Sequence, residues 1–197
     1  MRVDWNKGGG LVPAVVQDAD TLQVLMLGYM NEAALAKTRD TGLVTFHSRS
    51  RDALWTKGET SGNTLSLVSV EVDCDADTLL VKARPAGPTC HLGTTSCFGE
   101  GGAEGAGFLA YLDKLVRERK NADPSESYTA KLLQGPLVKA AQKVGEEGVE
   151  TALAAVAEGD DAFRGEAADL IYHLLVLLAA KDVALAEVID VLRDRHR

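Results

Sequence analysis

Five of the nine residues in 99–107 (Gly-Glu-Gly-Gly-Ala-Glu-Gly-Ala-Gly) are glycine. Glycine loses the most backbone entropy on folding, so this stretch suits neither helix nor strand and reads as a flexible linker. The patterns on its two sides differ. Before it, short apolar runs at 22–27 and 43–47 have strand length, and 65–72 approaches period-two alternation. One helix is predicted there, over 31–39, with Asn31 as its N-cap. After it, 108–120, 136–157, 162–181 and 183–195 read as helices, and Pro136 suits the first turn of the second. The expected architecture is therefore a β-rich α+β domain over 1–100, a linker over 101–107 and an all-α domain over 108–197. The length allows it, because domains of about 100 residues fold alone.

The net charge is −8, with −3 in residues 1–100 (9 basic, 12 acidic) and −5 in 101–197 (12 basic, 17 acidic). Such a chain has no footprint for general nucleic-acid or anionic-membrane binding, so any phosphate must be held by a few placed cations or by metals. No apolar run approaches the roughly 20 residues of a membrane span. The start, Met1-Arg2-Val3-Asp4-Trp5-Asn6, lacks a signal-peptide core, and an odd cysteine count argues against a disulfide framework. A cytoplasmic protein with reduced thiols is expected.

All three cysteines, Cys74, Cys90 and Cys97, fall within residues 74–97. Three thiols match an open zinc site, which leaves a fourth position for water. Asp73, Asp75 and Asp77 bracket Cys74 with hard oxygen donors that suit magnesium. In an extended segment these carboxylates would point one way and Cys74 the other. A calcium loop of the EF-hand type is excluded, since its position 6 would be Thr78 and its position 12 Arg84; a solvated acidic turn remains the simpler alternative. His91 follows Cys90 and is either a fourth zinc ligand or a base beside the metal. The second reading is preferred, because neighbouring side chains in an extended segment diverge. His47 reads as a half-buried strand residue and His196 as part of the tail. The segment 48–63 combines hydroxyls, three cations and glycines, a composition that suits phosphate.

Val-Asp-Cys-Asp-Ala-Asp, Gly-Pro-Thr-Cys-His-Leu-Gly-Thr-Thr-Ser-Cys-Phe, Met-Leu-Gly-Tyr-Met-Asn and Ser-Arg-Ser-Arg with Leu-Trp-Thr-Lys-Gly-Glu-Thr-Ser-Gly-Asn together resemble the phosphoribosyl-AMP cyclohydrolases over about residues 8–100. One departure is His47, where the family pattern has Tyr, so His47 inherits no role. The resemblance implies the third step of histidine biosynthesis. Water activated by Zn²⁺ would add to C6 of an adenine whose N1 carries a second ribose phosphate, and the N1–C6 bond would break. By the same resemblance, Cys74, Cys90 and Cys97 hold zinc and His91 manages the proton. Asp73, Asp75 and Asp77 hold Mg²⁺, and Ser48, Arg49, Ser50, Arg51, Trp55, Lys57, Gly58, Glu59, Ser61, Gly62 and Asn63 bind substrate. The family is a homodimer in which Cys74 of one subunit completes the zinc site of the other.

In the helical half, Glu147 and Glu150 are spaced i, i+3, as are Glu166 and Asp169, so each pair shares a helix face. Two such helices facing each other would converge four carboxylates, with Glu146 adjacent as a donor for a second magnesium. Asp169 runs into Leu170-Ile171-Tyr172-His173-Leu174-Leu175, which predicts a carboxylate facing a core and needing a cation. His173, one turn on, reads as a satisfied core histidine. The acidic arrangement resembles the all-α nucleoside triphosphate pyrophosphatases. Ser127-Tyr128-Thr129-Ala130-Lys131-Leu132 and Lys139…Gln142-Lys143-Val144-Gly145-Glu146-Glu147 narrow the resemblance to phosphoribosyl-ATP pyrophosphohydrolase over about 108–195. It implies Mg²⁺ on these acids, Glu147 as catalytic, and water attacking the α-phosphorus. Lys131, Lys139 and Lys143 would hold phosphate, or serve only as solubilising surface lysines.

The expectation is thus a bifunctional enzyme of histidine biosynthesis acting on nucleotide substrates. Two rivals stand beside it. The helical half could be a general nucleotide-housecleaning pyrophosphatase, or the first half a non-catalytic module around a structural Cys₃His zinc.

Overall fold

The computed structural model describes residues 2–99 and 105–196. The chain divides into two compact units, Met1–Phe108 and Leu109–Arg197. Of the predicted linker, residues 101–104 lie outside the described residues, and Gly107 already opens a helix.

The first unit holds six strands, β1 (Val12–Asp18), β2 (Val24–Met30), β3 (Thr45–Ser48), β4 (Ala53–Thr56), β5 (Leu65–Val72) and β6 (Leu79–Pro85), with one helix, α1 (Glu32–Thr41). Four strands form a sheet in the order β2-β1-β6-β5; β1 runs parallel to β6, and the other pairs are antiparallel. β3 and β4 form a separate hairpin. Side chains alternate strictly along β1, where Val12, Ala14 and Val16 are fully buried between less buried neighbours. They join Leu25, Met30, Phe46, Leu79 and Val81 in one core. Asn31 caps α1 as expected: its Oδ1 accepts the Ala34 N–H at 2.8 Å.

β1 and β6 were not expected as strands. Pro13 argues against a central strand because it cannot donate to a ladder. It is accommodated because the pairing with β6 starts one residue later, at Ala14.

The second unit is helical throughout: α2 (Gly107–Glu118), a 3₁₀ turn at Arg119–Asn121, α3 (Tyr128–Gln134), α4 (Leu137–Ala157), α5 (Asp160–Ala180) and α6 (Leu185–Arg195). The β-rich α+β and all-α expectations both hold. α3 is an unpredicted helix of 7 residues, capped by the Ser127 hydroxyl. Pro136 sits at the N-cap of α4 rather than inside its first turn. Among the described residues, no helix is long and apolar enough to cross a membrane.

Candidate active sites

In the first unit, a cavity of about 490 Å³ opens between the β4–β5 connection and the loop after β6. Trp55, Lys57, Gly58, Glu59, Ser61 and Asn63 line one side of it. Cys90, His91 and Cys97 line another. Gly58 has φ +81°, and a Cβ there would lie 2.3 Å from the Asn63 backbone, so only glycine allows the loop to fold back on itself. Lys57 is almost buried, and its charge acts on Cys97. Met26, Thr60, Pro88, Thr89 and Gly93 also line the cavity; they fall inside the motifs that carry the family resemblance, but none was expected as a site residue. Thr89 Oγ1 is buried without a hydrogen-bond partner among the described residues.

The cysteine-bearing loop is a set of tight turns, not an extended segment. Cys90 N–H donates to the Thr94 carbonyl at 3.0 Å and Gly93 N–H to the Cys90 carbonyl at 3.1 Å. The turn brings His91 Nδ1 to 3.9 Å from Cys90 Sγ, so divergence of neighbouring side chains does not separate these two residues. Cys90 and Cys97 lie within interaction distance of one another. The Leu92 N–H, with the Thr94 and Cys97 side chains, holds Cys90 below the ordinary thiol value. Burial and the adjacent Cys90 push Cys97 above it. Two thiols that compete for one negative charge are a donor pair that a soft dication would satisfy. Cys74 is exposed, and among the described residues no third ligand-type side chain of the same chain joins Cys90 and Cys97 as a metal cluster.

The segment 73–77 is also a turn, closing β5 onto β6, with Ala76 at φ +66°. The predicted extended alternation is therefore wrong. The three carboxylates converge all the same, with oxygens of Asp73, Asp75 and Asp77 within 4.8 Å of one another. Asp73 Oδ1 accepts the Asp77 and Thr78 N–H groups, each at 3.0 Å. Burial pushes its pKa up, but these two bonds together with hydrogen bonds to the Thr78 and Asp75 side chains bring it below the ordinary carboxylate value. Lys7 Nζ lies 3.0 Å from Asp75 Oδ2 and 3.6 Å from Asp77 Oδ2, so an ammonium already offsets part of the charge of this hard-oxygen group.

Ser48, Arg49, Ser50, Arg51 and Gly62 are not among the cavity-lining residues. Arg49 lies over the Tyr29 ring at 3.9 Å, and Ser48 Oγ accepts the Arg51 N–H at 3.4 Å. His47 Nε2 lies 3.2 Å from Asp52, and its Nδ1 is buried without a partner among the described residues.

In the second unit, α4 and α5 bring Glu147, Glu150 and Glu166 together, with carboxylate oxygens within 4.8 Å. Glu147 is 5% exposed. Its Oε1 lies 3.3 Å from Lys143 Nζ and 3.5 Å from His173 Nδ1. His173 is buried too; Nδ1 also lies 3.0 Å from the Asp169 carbonyl and Nε2 3.4 Å from Tyr128 Oη. Burial, then the charges of Glu150, Glu147, Asp169 and Glu158, raise the Glu166 pKa. A cluster of mutually repelling carboxylates fits a hard dication.

The expectation that Asp169 faces a core fails. Asp169, Ile171 and Leu174 are exposed, because α5 buries only one stripe, including His173, Val176 and Ala179. Asp169 lies outside the tight group, although its charge reaches Glu166. Glu146 pairs with Lys143 at 3.0 Å, and Gln142 donates to it at 2.7 Å. Lys143 is thereby committed to two acids, which raise its pKa. Lys139 donates to Gln142 at 3.1 Å, and Lys131 is exposed.

These two donor sets, soft in one unit and hard in the other, coincide with two family models. Phosphoribosyl-AMP cyclohydrolase matches residues 26–99, and Phosphoribosyl-ATP pyrophosphohydrolase matches residues 109–196. The histidine biosynthesis bifunctional protein HisIE of Xanthomonas campestris pv. campestris is 59% identical over 195 residues, 99% of this chain and 93% of that one. The chain belongs to the HisIE family. The HisIE protein of Salmonella typhimurium is 57% identical over 196 residues, covering 100% and 96% of the two chains. That of Vibrio cholerae serotype O1 is 56% identical over 199 residues, covering 100% and 94%. The cavity with Cys90, His91 and Cys97 thus lies in the cyclohydrolase match of this HisIE chain, and the α4–α5 carboxylates lie in its pyrophosphohydrolase match.

Proposed function

We propose that each of the two sites carries one of two consecutive hydrolyses. The chain is a bifunctional hydrolase of histidine biosynthesis. It converts phosphoribosyl-ATP to phosphoribosyl-AMP and pyrophosphate, and then opens the adenine ring of phosphoribosyl-AMP. The boundaries follow as 1–100 for ring opening, 101–107 as connector and 108–197 for pyrophosphate release. The observation that carries this reading is the coincidence of a thiol-lined cavity with the first family match and a carboxylate cluster with the second.

In the second unit, Glu147, Glu150, Glu166 and Asp169 would hold Mg²⁺, with Glu146 available to a second ion. Magnesium there would neutralise charge on the phosphates. Glu147, almost buried and fixed by His173 and Lys143, is aligned to accept a proton from water as its oxygen attacks the α-phosphorus. The bond from that phosphorus to the bridging oxygen breaks, and pyrophosphate leaves. Lys131 and Lys139 are the cations left for phosphate, since Lys143 is held by two acids.

In the first unit, Cys90 and Cys97 would hold Zn²⁺, with Cys74 supplied by the partner subunit of a homodimer. Zinc lowers the pKa of a water toward ~7. His91 at the cavity wall takes the proton as that oxygen adds to C6. The N1–C6 bond then breaks, N1 gains the proton, and C6 becomes a carboxamide carbonyl. Trp55 offers a ring face to the base. Lys57, Glu59, Ser61 and Asn63 offer polar contacts and Gly58 the close backbone approach, while Gly62 would act only by shaping the loop outside the cavity. Ser48, Arg49, Ser50 and Arg51 would serve phosphate outside the cavity proper. Asp73, Asp75 and Asp77 would hold Mg²⁺ once Lys7 is displaced. The protein acts in the cytoplasm.

Supplying phosphoribosyl-ATP with Mg²⁺ and Zn²⁺ and following both products tests the whole reading. Pyrophosphate release and loss of the intact adenine chromophore should appear in sequence, each abolished by removal of its metal. Ring opening that persists in the absence of zinc would overturn the zinc assignment.

A further inference from the structure

A second cavity, of about 340 Å³, lies in the helical unit among α2, α3 and α5. Its size falls within the roughly 300–1,000 Å³ of small-molecule sites. Leu112, Leu115 and Val116 make an apolar wall, and Tyr128 and Tyr172 supply rings. The Tyr172 hydroxyl lies 2.7 Å from the Thr129 hydroxyl, an interaction that fixes its ring. Arg119 lines the same cavity from the 3₁₀ turn and makes no ion pair among the described residues. One short relay of side chains links the cavity wall to the acidic cluster through buried His173. Tyr128 Oη is 3.4 Å from His173 Nε2, and His173 Nδ1 is 3.5 Å from Glu147 Oε1.

We propose that this cavity receives the adenine and the N1-linked phosphoribosyl group of phosphoribosyl-ATP, with Arg119 on the phosphate of that second ribose. The inference rests on the pyrophosphohydrolase reading of the α4–α5 carboxylates and adds the subsite that selects its substrate. The chemistry agrees part by part. A flat, largely apolar base suits tyrosine faces and an aliphatic wall. A phosphate suits an unpaired guanidinium, which binds it bidentately. Glu126, also in the lining, can accept from ribose hydroxyls. An ordinary nucleoside triphosphate lacks the second phosphate and so gains nothing from Arg119.

Arg119 is exposed, so Arg119→Ala is expected to fold normally. In the full-length protein with Mg²⁺, it should raise KM for phosphoribosyl-ATP about tenfold. The inhibition constant of ATP against this reaction should move less than about twofold. Arg119→Glu should raise KM further, because it places a like charge against the phosphate. A KM within about threefold of wild type in both variants, or KM and the ATP constant rising together, overturns the subsite. Wild-type protein that releases no pyrophosphate from phosphoribosyl-ATP would instead sink the pyrophosphohydrolase reading and the subsite with it.

Discussion

Glu166 shows most directly what a cluster of carboxylates costs a fold when no cation offsets their charge. Burial and four neighbouring carboxylates hold its pKa above the ordinary value. A carboxyl whose folded pKa exceeds its unfolded pKa destabilises the fold above both, and has no effect below the unfolded value of about 4.3. Glu166→Gln should therefore raise the melting temperature of metal-free protein at pH 7, with the gain vanishing by about pH 4. Added Mg²⁺ should stabilise wild type more than the variant. A gain of equal size at both pH values would point to packing instead of charge. His91 poses a different question, since the turn places Nδ1 3.9 Å from Cys90 Sγ. As a proton carrier its removal should leave zinc content intact while ring opening falls about 10²–10⁴-fold. Elemental analysis of His91→Ala decides this: zinc lost along with activity would make His91 a ligand.

At the scale of elements, β2 and β3 meet where Gly28 faces Phe46. A Cβ on Gly28 would lie 2.3 Å from Phe46 Cδ1, and Phe46 is 2% exposed. Gly28→Ala should cost about 1–3 kcal/mol by overpacking. Phe46→Leu in the same chain should recover part of the loss; denaturant unfolding of wild type, the two single variants and the double variant measures that coupling. The capped and long elements were legible in the sequence. Asn31 marks α1 because its side chain bonds locally, and α4 and α5 declare themselves by length. β6 was missed although Val81-Lys82-Ala83-Arg84 alternates as a half-buried strand should, because the alternating stretch is short and ends at Pro85; pairing with β1 and β5 fixes it. β4 was absorbed into a phosphate-suited loop because its 4 residues are fixed by the hairpin with β3 rather than by periodicity. Which side chains would come together was legible wherever unusual residue types clustered, as with Cys90 and Cys97 or Glu147 and Glu150. Geometry was not. Both metal-type segments of the first unit are turns where an extended chain was expected, because turn formation at 73–78 depends on Asp73 Oδ1 reaching two backbone N–H groups. Met26, Pro88 and Thr89 lie within the resemblance motifs, but they bear no ionisable group, so only tertiary packing assigns them to the cavity wall.

For the whole molecule, two units with separate donor sets predict separable lesions. Cys97→Ala should abolish zinc binding and ring opening while leaving pyrophosphate release intact, and Glu147→Gln should do the reverse. A folded variant that loses both activities from either change would defeat independent sites. Cys74 carries the argument from one chain to two. It lies on the β5–β6 turn, away from the cavity lining, whereas Cys90 and Cys97 interact with each other in the cavity loop. If zinc is shared across a homodimer, Cys74→Ala protein retains Cys90 and Cys97, and Cys97→Ala protein retains Cys74. Each variant alone should be inactive in ring opening. After unfolding and refolding together, half the dimers would be mixed, and each mixed dimer would hold one complete site of two. Activity should then return to about a quarter of wild type, the ceiling that twofold symmetry sets. Restoration cannot occur if every zinc site draws all its ligands from one chain, since no single chain in the mixture carries all three thiols. An inactive mixture that contains verified mixed dimers would place the complete zinc site within one subunit.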